Sequence, residues 1–247
     1  LAAQVDVLLC SLPNDAIVES VLLGPEGVIA GGHDGLTVVD TSTISPLTAQ
    51  RLAAALAPRG IAILEAPVSG GQPGAIAGTL AIMVGGSREA FDRVLPILQA
   101  IGQNITYVGD HGSALVVKLC NNLITGAIMC ATSEALTMAA KAGIDPGLVH
   151  SILSNSTARG WILSEYVGRT MLVGNTQPGF KLALQHKDEG LALEYGKQLG
   201  VPMFITGLVH ALFSQAKGLG KGDLDFSAVS QLYTEAVGVS VKKRDSE

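Results

Sequence analysis

Ile105-Thr106-Tyr107-Val108-Gly109-Asp110-His111-Gly112-Ser113-Ala114-Leu115-Val116-Val117-Lys118 is the stretch in which the chain changes character. Before Gly109, short apolar runs rich in β-branched residues alternate with helical patterns; after Gly112 the strand signal stops and helix follows helix. The reading is an α/β domain over 1–110, then an all-helical domain over 111–247. Upstream, Val5 to Leu12 is a continuous apolar run closed by Pro13, the pattern of a strand covered on both faces. Asn14 or Asp15 caps a helix bearing Ile17, Val18, Val21 and Leu22 that stops at Gly24-Pro25. The cycle repeats with a strand from Leu36 to Asp40, a Ser45-Pro46 helix start and a helix to Leu56. Strands follow at Ile61 to Leu64, Leu80 to Val84 and Ile105 to Val108, with a helix from Glu89 to Ile101. Such alternation predicts a mostly parallel sheet, with the direction of Leu80 to Val84 open because its connection is long enough for either.

Downstream, Ser113 to Ala142 has the content for about 45 Å of helix, ended by Gly143. Further helices fit Pro146 to Leu153, Trp161 to Leu172, Lys187 to Leu199, Ile205 to Lys217 and Phe226 to Val237, and Lys242 to Glu247 reads as a frayed charged tail. Lys118, Asn121, Asn122 and Glu134 interrupt the long apolar run, so it reads as a buried helix and no membrane partner is expected. Hydrophobic residues make up 48% and charged residues 15% of the 247, and the mean hydropathy is +0.41, which excludes disorder. Sixteen Lys and Arg against 21 Asp and Glu, with 4% aromatics, exclude a nucleic-acid surface. Cys10, Cys120 and Cys130 lie in apolar segments, and five scattered histidines supply no metal-ligand spacing. A reducing compartment is expected: cytoplasm, with the mitochondrial matrix as the alternative. The first ten residues read as a strand, not as a leader.

Four short stretches carry candidate chemistry. Ala66-Pro67-Val68-Ser69-Gly70-Gly71-Gln72-Pro73-Gly74 follows a strand, and its glycines with the Ser69 hydroxyl could cradle a carboxylate or simply form a tight turn. Lys118 and Asn122 lie one turn apart on an apolar helix, either as a proton donor with its neighbour or as a snorkelling lysine beside a contact amide. Lys187-Asp188 follows Gln185-His186 at an expected helix start, where solvated capping is the plainer account and His186 is a proton carrier by residue type alone. Asp40-Thr41-Ser42-Thr43 ends a strand where α/β sheets place ligands, though its hydroxyls could equally cap the next helix. Val68-Ser69-Gly70 lacks the preceding glycine of a nucleophile elbow, which removes the simplest hydrolase reading.

Taken in order, Leu12-Pro13, Asp40-Thr41-Ser42-Thr43, Ala66-Pro67-Val68-Ser69-Gly70-Gly71 with Gly74 and Gly78-Thr79-Leu80, Gly112 with Lys118 and Asn122, and Lys187-Asp188 resemble the β-hydroxyacid dehydrogenases. The resemblance covers nearly the whole chain. It implies a partial Rossmann-type sheet followed by a helical domain with a long interdomain helix, an NAD or NADP cofactor and a small carboxylate substrate. It further implies that Ser69, Gly70 and Gly71 hold the substrate carboxylate, that Lys118 exchanges a proton with the substrate oxygen and that Asn122 orients the substrate. Leu12, Pro13 and Thr43 would line the nicotinamide side, with Lys187 closing on the cofactor. A homodimer or homotetramer through the helical domain is expected. Leading substrates are 2-hydroxy-3-oxopropionate and 3-hydroxyisobutyrate or its semialdehyde; a phosphorylated sugar acid would need a cationic clamp, for which Arg159 is the main unplaced candidate.

Two departures qualify this. Glu65 stands where the family usually has Asp, which leaves the geometry of that loop open. No Gly-x-Gly-x-x-Gly turn occurs, and Gly218-Leu219-Gly220-Lys221-Gly222 follows a helix and is no substitute. The expectation is therefore an N-terminally incomplete sequence lacking about fifty residues, with Val5 to Leu12 as an exposed edge. The alternative is an inactive fragment or dimerisation protein of the same fold.

Overall fold

The structure is a computed structural model and describes residues 1–244. It divides into two compact units, 1–121 and 122–247.

In the first unit the elements run β1 (Val7–Cys10), α1 (Asp15–Leu23), α2 (Val28–Gly31), β2 (Thr37–Asp40), α3 (Pro46–Leu56), β3 (Ala62–Glu65), β4 (Val68–Ser69), α4 (Gly71–Ala77), β5 (Leu80–Gly86), α5 (Arg88–Leu98) and β6 (Gly102–Gly109). β1, β2 and β3 are parallel and in register, so that Cys10, Asp40 and Glu65 stand level at their carboxyl ends. β5 runs antiparallel to β3 and parallel to β6, which makes the sheet mixed. Its pairing with β3 continues without a register change into β4, so β3 and β4 lie along the same side of β5 as one strand interrupted at Ala66-Pro67. β1 pairs with β2 alone among the described strands, and its Leu9 is half exposed.

Alternation along each strand divides the core between the two sheet faces. Val38 packs with Leu8, Val18, Leu22, Leu52 and Ile63, whereas Val39 packs with Leu64, Ile82, Val84, Val94 and Leu98. Both faces are covered by helices, which is why these strands are apolar throughout. The helix starts follow local chemistry. Asn14 Oδ1 accepts the Ile17 N–H at 3.0 Å, Ser45 caps α3 ahead of Pro46, and Ser87 Oγ accepts the Ala90 N–H at 3.1 Å.

α6 (Ser113–Lys141) begins in the first unit and continues into the second. By length and composition it could cross a membrane. Its Leu115 nevertheless joins the first unit's core, and its Met129, Cys130 and Leu136 join that of the second.

The second unit adds α7 (Pro146–Ser154), a π turn at Ile162–Tyr166, α8 (Val167–Arg169), a 3-10 turn at Met171–Val173, α9 (Leu182–Gln198), α10 (Phe204–Ala216), a 3-10 turn at Phe226–Ser230 and α11 (Gln231–Val237). Asp225 ties its irregular segments together: Oδ2 accepts Tyr166 Oη at 2.5 Å, Gly179 N at 3.0 Å and Phe180 N at 3.3 Å, and Oδ1 accepts Ser227 N at 3.0 Å.

Several expectations are corrected here. The expected helix from Trp161 to Leu172 is three short pieces, and the one from Phe226 begins as a 3-10 turn. Gly71–Ala77, most of it within the stretch expected as a carboxylate cradle or a tight turn, is helical. Cys120 is exposed despite its apolar surroundings. The expected fraying does not hold for Lys243 and Arg244: Lys243 N donates to Leu172 O at 3.0 Å and Arg244 N to Asp145 Oδ1 at 2.9 Å. The rest of that expectation, residues 245–247, lies outside the described residues.

Candidate active site

At the carboxyl ends of β1 and β2 the loops are bound to one another. Ser42 Oγ donates to Asp40 Oδ1 at 2.5 Å and accepts the Leu12 N–H at 2.8 Å, and Thr41 Oγ1 donates to Cys10 O at 2.8 Å. These hydroxyls turn back to the strand ends, leaving the α3 cap to Ser45. Burial raises the Asp40 carboxyl above its usual range, against the lowering effect of the Ser42 hydrogen bonds; Glu65 and Asp15 add to the rise. Asp40 Oδ2 has no hydrogen-bond partner among the described residues. Leu12 and Thr43 are half-buried and Pro13 is exposed. An apolar side chain, a proline ring and a hydroxyl at the ends of adjacent parallel strands fit one face of a nicotinamide.

At the end of β3, Glu65 is buried and its Oε1 accepts the Gly112 N–H just ahead of α6, while His111 Nδ1 lies 3.3 Å from Oε2. Gly85 makes room, because any side chain there would overlap the Glu65 carboxyl. The longer arm of Glu65 is thus used to seat the start of α6. Farther along the same side of β5, Ser69 is half-buried and pairs with Ala81. Gly70 (φ 133°) and Gly71 (φ 62°) then turn the chain into α4 in conformations that disfavour a side chain. Lys118, in the second turn of α6, is only 8% exposed.

In the second unit Asn122 is 4% exposed, and its Nδ2 donates to Asp188 Oδ2 at 2.6 Å. Lys187 Nζ lies 3.0 Å from Asp188 Oδ1, an ion pair without aligned hydrogen-bond geometry. Two expected site residues, Asn122 and Lys187, therefore meet on one carboxylate. Asp188 was expected as a solvated group near a helix start. It is instead buried six residues into α9, because the helix begins at Leu182. Gln185 Nε2 donates to Asn122 O at 2.8 Å and to Glu189 Oε1 at 2.7 Å. Gln185, Glu189 and Gly126 escaped the sequence reading; the available signal was a glycine in the middle of an apolar helix, where it costs about 0.5–1 kcal/mol against alanine. His186 stacks on His210 at 4.4 Å and its Nε2 lies 2.8 Å from Ser214 Oγ. Burial lowers its pKa, with His210 and Lys217 adding to the effect, and its contacts are those of α9 with α10. Arg159 is exposed on a turn.

The sequence and the fold resemble those of known proteins. Residues 1–109 match a family described as the NAD binding domain of 6-phosphogluconate dehydrogenase. Residues 112–233 match one described as NAD-binding of NADP-dependent 3-hydroxyisobutyrate dehydrogenase. The chain is 40% identical to 2-(hydroxymethyl)glutarate dehydrogenase of Eubacterium barkeri, over 97% of this chain and 80% of that protein. It is also 40% identical to 2-hydroxy-3-oxopropionate reductase of Escherichia coli, over 92% and 77%. The crystal structure of 3-hydroxyisobutyrate dehydrogenase from Salmonella typhimurium superposes with a TM-score of 0.86 at 32% identity, covering 94% of this chain and 81% of that one. Similarity at this level through both units makes the chain a member of the β-hydroxyacid dehydrogenase family, NAD(P)-dependent oxidoreductases acting on CH–OH groups.

Proposed function

We propose that the chain interconverts a small β-hydroxyacid and its semialdehyde, with Lys118 as the acid/base group. The observation that carries this reading is a lysine side chain 8% exposed on an apolar helix, one turn before the buried Asn122. When bound, the nicotinamide supplies the hydride acceptor for oxidation or the donor for reduction. For oxidation Lys118 starts as the neutral amine, and its Nζ takes the hydroxyl proton to become the ammonium as the C–O bond gains double-bond character; for reduction the ammonium gives that proton to the oxygen and returns to the amine. Asn122, held by Asp188, orients the substrate. Ser69 with the backbone of Gly70 and Gly71 receives its carboxylate, a role that their open, side-chain-free turn supports. Leu12, Pro13 and Thr43 are assigned to the nicotinamide side, and Lys187 to cofactor binding.

The substrates named for the relatives 2-hydroxy-3-oxopropionate reductase and 2-(hydroxymethyl)glutarate dehydrogenase share a carbon β to a carboxylate at the alcohol or aldehyde level, an aldehyde in the first and a primary alcohol in the second. That shared pattern defines the substrate class, with 2-hydroxy-3-oxopropionate and 3-hydroxyisobutyrate first in it. The same reading has the chain self-associate through its helical unit, supported by Phe204, Ile205 and Leu208, which leave one face of α10 apolar and exposed. Lys118→Ala tests the central assignment: turnover on these substrates falls by about 10²–10⁴-fold in both directions. An unchanged rate removes Lys118 from the chemistry.

A further inference from the structure

The buried face of α9 runs through Leu182, Gln185, Asp188, Glu189, Ala192 and Gly196, a stripe at helical spacing that is half polar. Glu189 is fully buried. Its carboxyl group fills the place a side chain at position 126 would take, so Gly126 forms a notch in α6. The same missing side chain leaves the Asn122 carbonyl, one turn earlier, open to Gln185. Glu189 Oε1 accepts from Gln185, and Oε2 has no hydrogen-bond partner among the described residues. The neighbouring Asp188 already takes the Lys187 ammonium and the Asn122 amide. Ionised, Glu189 would be a second buried negative charge supported by one neutral donor, a state whose desolvation cost is not repaid.

We infer that Glu189 is a positioning residue held as a neutral carboxylic acid, which in that form seats α9 in the Gly126 notch, keeps Gln185 on the Asn122 carbonyl and so fixes Asn122 and Lys187 on Asp188. The inference rests on the roles proposed for Asn122 and Lys187. Burial pushes the Glu189 carboxyl up to about 8, the Gln185 hydrogen bond opposing and Asp188 adding to the rise. From α6, Cys130 faces it one turn beyond Gly126, and burial pushes that thiol up to about 12, so it stays neutral. Tyr233 of α11 and Glu134 act on Cys130. From α10, His210 lies against Gly190, and burial lowers both His210 and His186, so neither brings positive charge at neutral pH. Above about pH 8 the notch would therefore hold a charge beside Asp188 and loosen.

Infrared spectroscopy of the full chain reads the proton directly. At neutral pH a C=O stretch of a protonated carboxyl is expected that titrates near pH 8 and is lost in Glu189→Gln. Gly126→Ala, which fills the notch and displaces the carboxyl, removes the same band and stands in should Glu189→Gln fail to fold. In turnover assays Glu189→Gln moves the alkaline fall of kcat upward by about one pH unit or more. Absence of the band at neutral pH, or an alkaline limb that does not move, overturns the inference. Asn122→Ala separates the two possible failures. Unaffected turnover overturns the assignment of Asn122 and the positioning role with it; slowed turnover without the band overturns the Glu189 inference alone.

Discussion

In the first unit the buried carboxyl groups of Asp40 and Glu65 stand at strand ends, against the backbone N–H groups of Ser42 and Gly112. In the second unit Asp188 and Glu189 lie inside a helix, where the backbone donors are already used, and only side chains remain to meet them. Strand ends and helix starts supply unspent donors; helix interiors do not. A carboxyl group buried at the first kind of place can keep its charge by hydrogen bonding to the main chain. One buried at the second kind needs a cation, as Asp188 has in Lys187, or must stay protonated, as Glu189 does under the proposal above.

The contrast is sharpest in its dependence on pH. The Glu189 carboxyl goes from an ordinary value of 4.5 to about 8 on folding. Between those values the unfolded chain has released a proton that the folded chain keeps, so this group's contribution to stability falls as pH rises from about 4.5 to about 8 and is level on either side. Denaturant melts across that window should lose a few kcal/mol in the unchanged chain and correspondingly less in Glu189→Gln. Equal slopes would break the comparison. Next in size, Gly126→Leu forces a side chain into the occupied notch and should cost about 2–3 kcal/mol in the same melts. A loss under about 0.5 kcal/mol would mean that the notch does not seat α9. The smallest effect is expected in the first unit. Glu65→Ala leaves the Gly112 N–H without its acceptor and should cost about 1–2 kcal/mol, with Glu65→Gln recovering part of it because an amide oxygen still accepts. No recovery would show that charge, not donor satisfaction, governs that end of the sheet.

The first three strands and their helices were legible because their signals are local: Val38 and Val39 face opposite cores, Asn14 caps α1, and Ser45-Pro46 opens α3. The direction of β5 was not, since the link from Ala66 to Thr79 allowed either sense and Gly71, Pro73 and Gly74 mask the helical pattern of α4. α9 starts five residues before its expected first residue because Lys181 at its N-cap makes no side-chain capping bond, so nothing announces the start. That single shift hid the environment of Asp188. It also hid Gln185 and Glu189, which occupy stripe positions where periodicity looks for apolar side chains. Spacing alone puts Lys118 and Asn122 on one face of α6, and both are buried there.

Asp225 shows what the same logic does for architecture. One carboxylate gathers Tyr166, Gly179, Phe180 and Ser227 from stretches that carry no regular period. Tyr166, Phe180 and Phe226 also share one core, and Phe226 N donates to Phe180 O, so these stretches are held to one another more than to any regular element. Loss of this one carboxylate is therefore expected to loosen the least regular part of the helical unit as a single cooperative block.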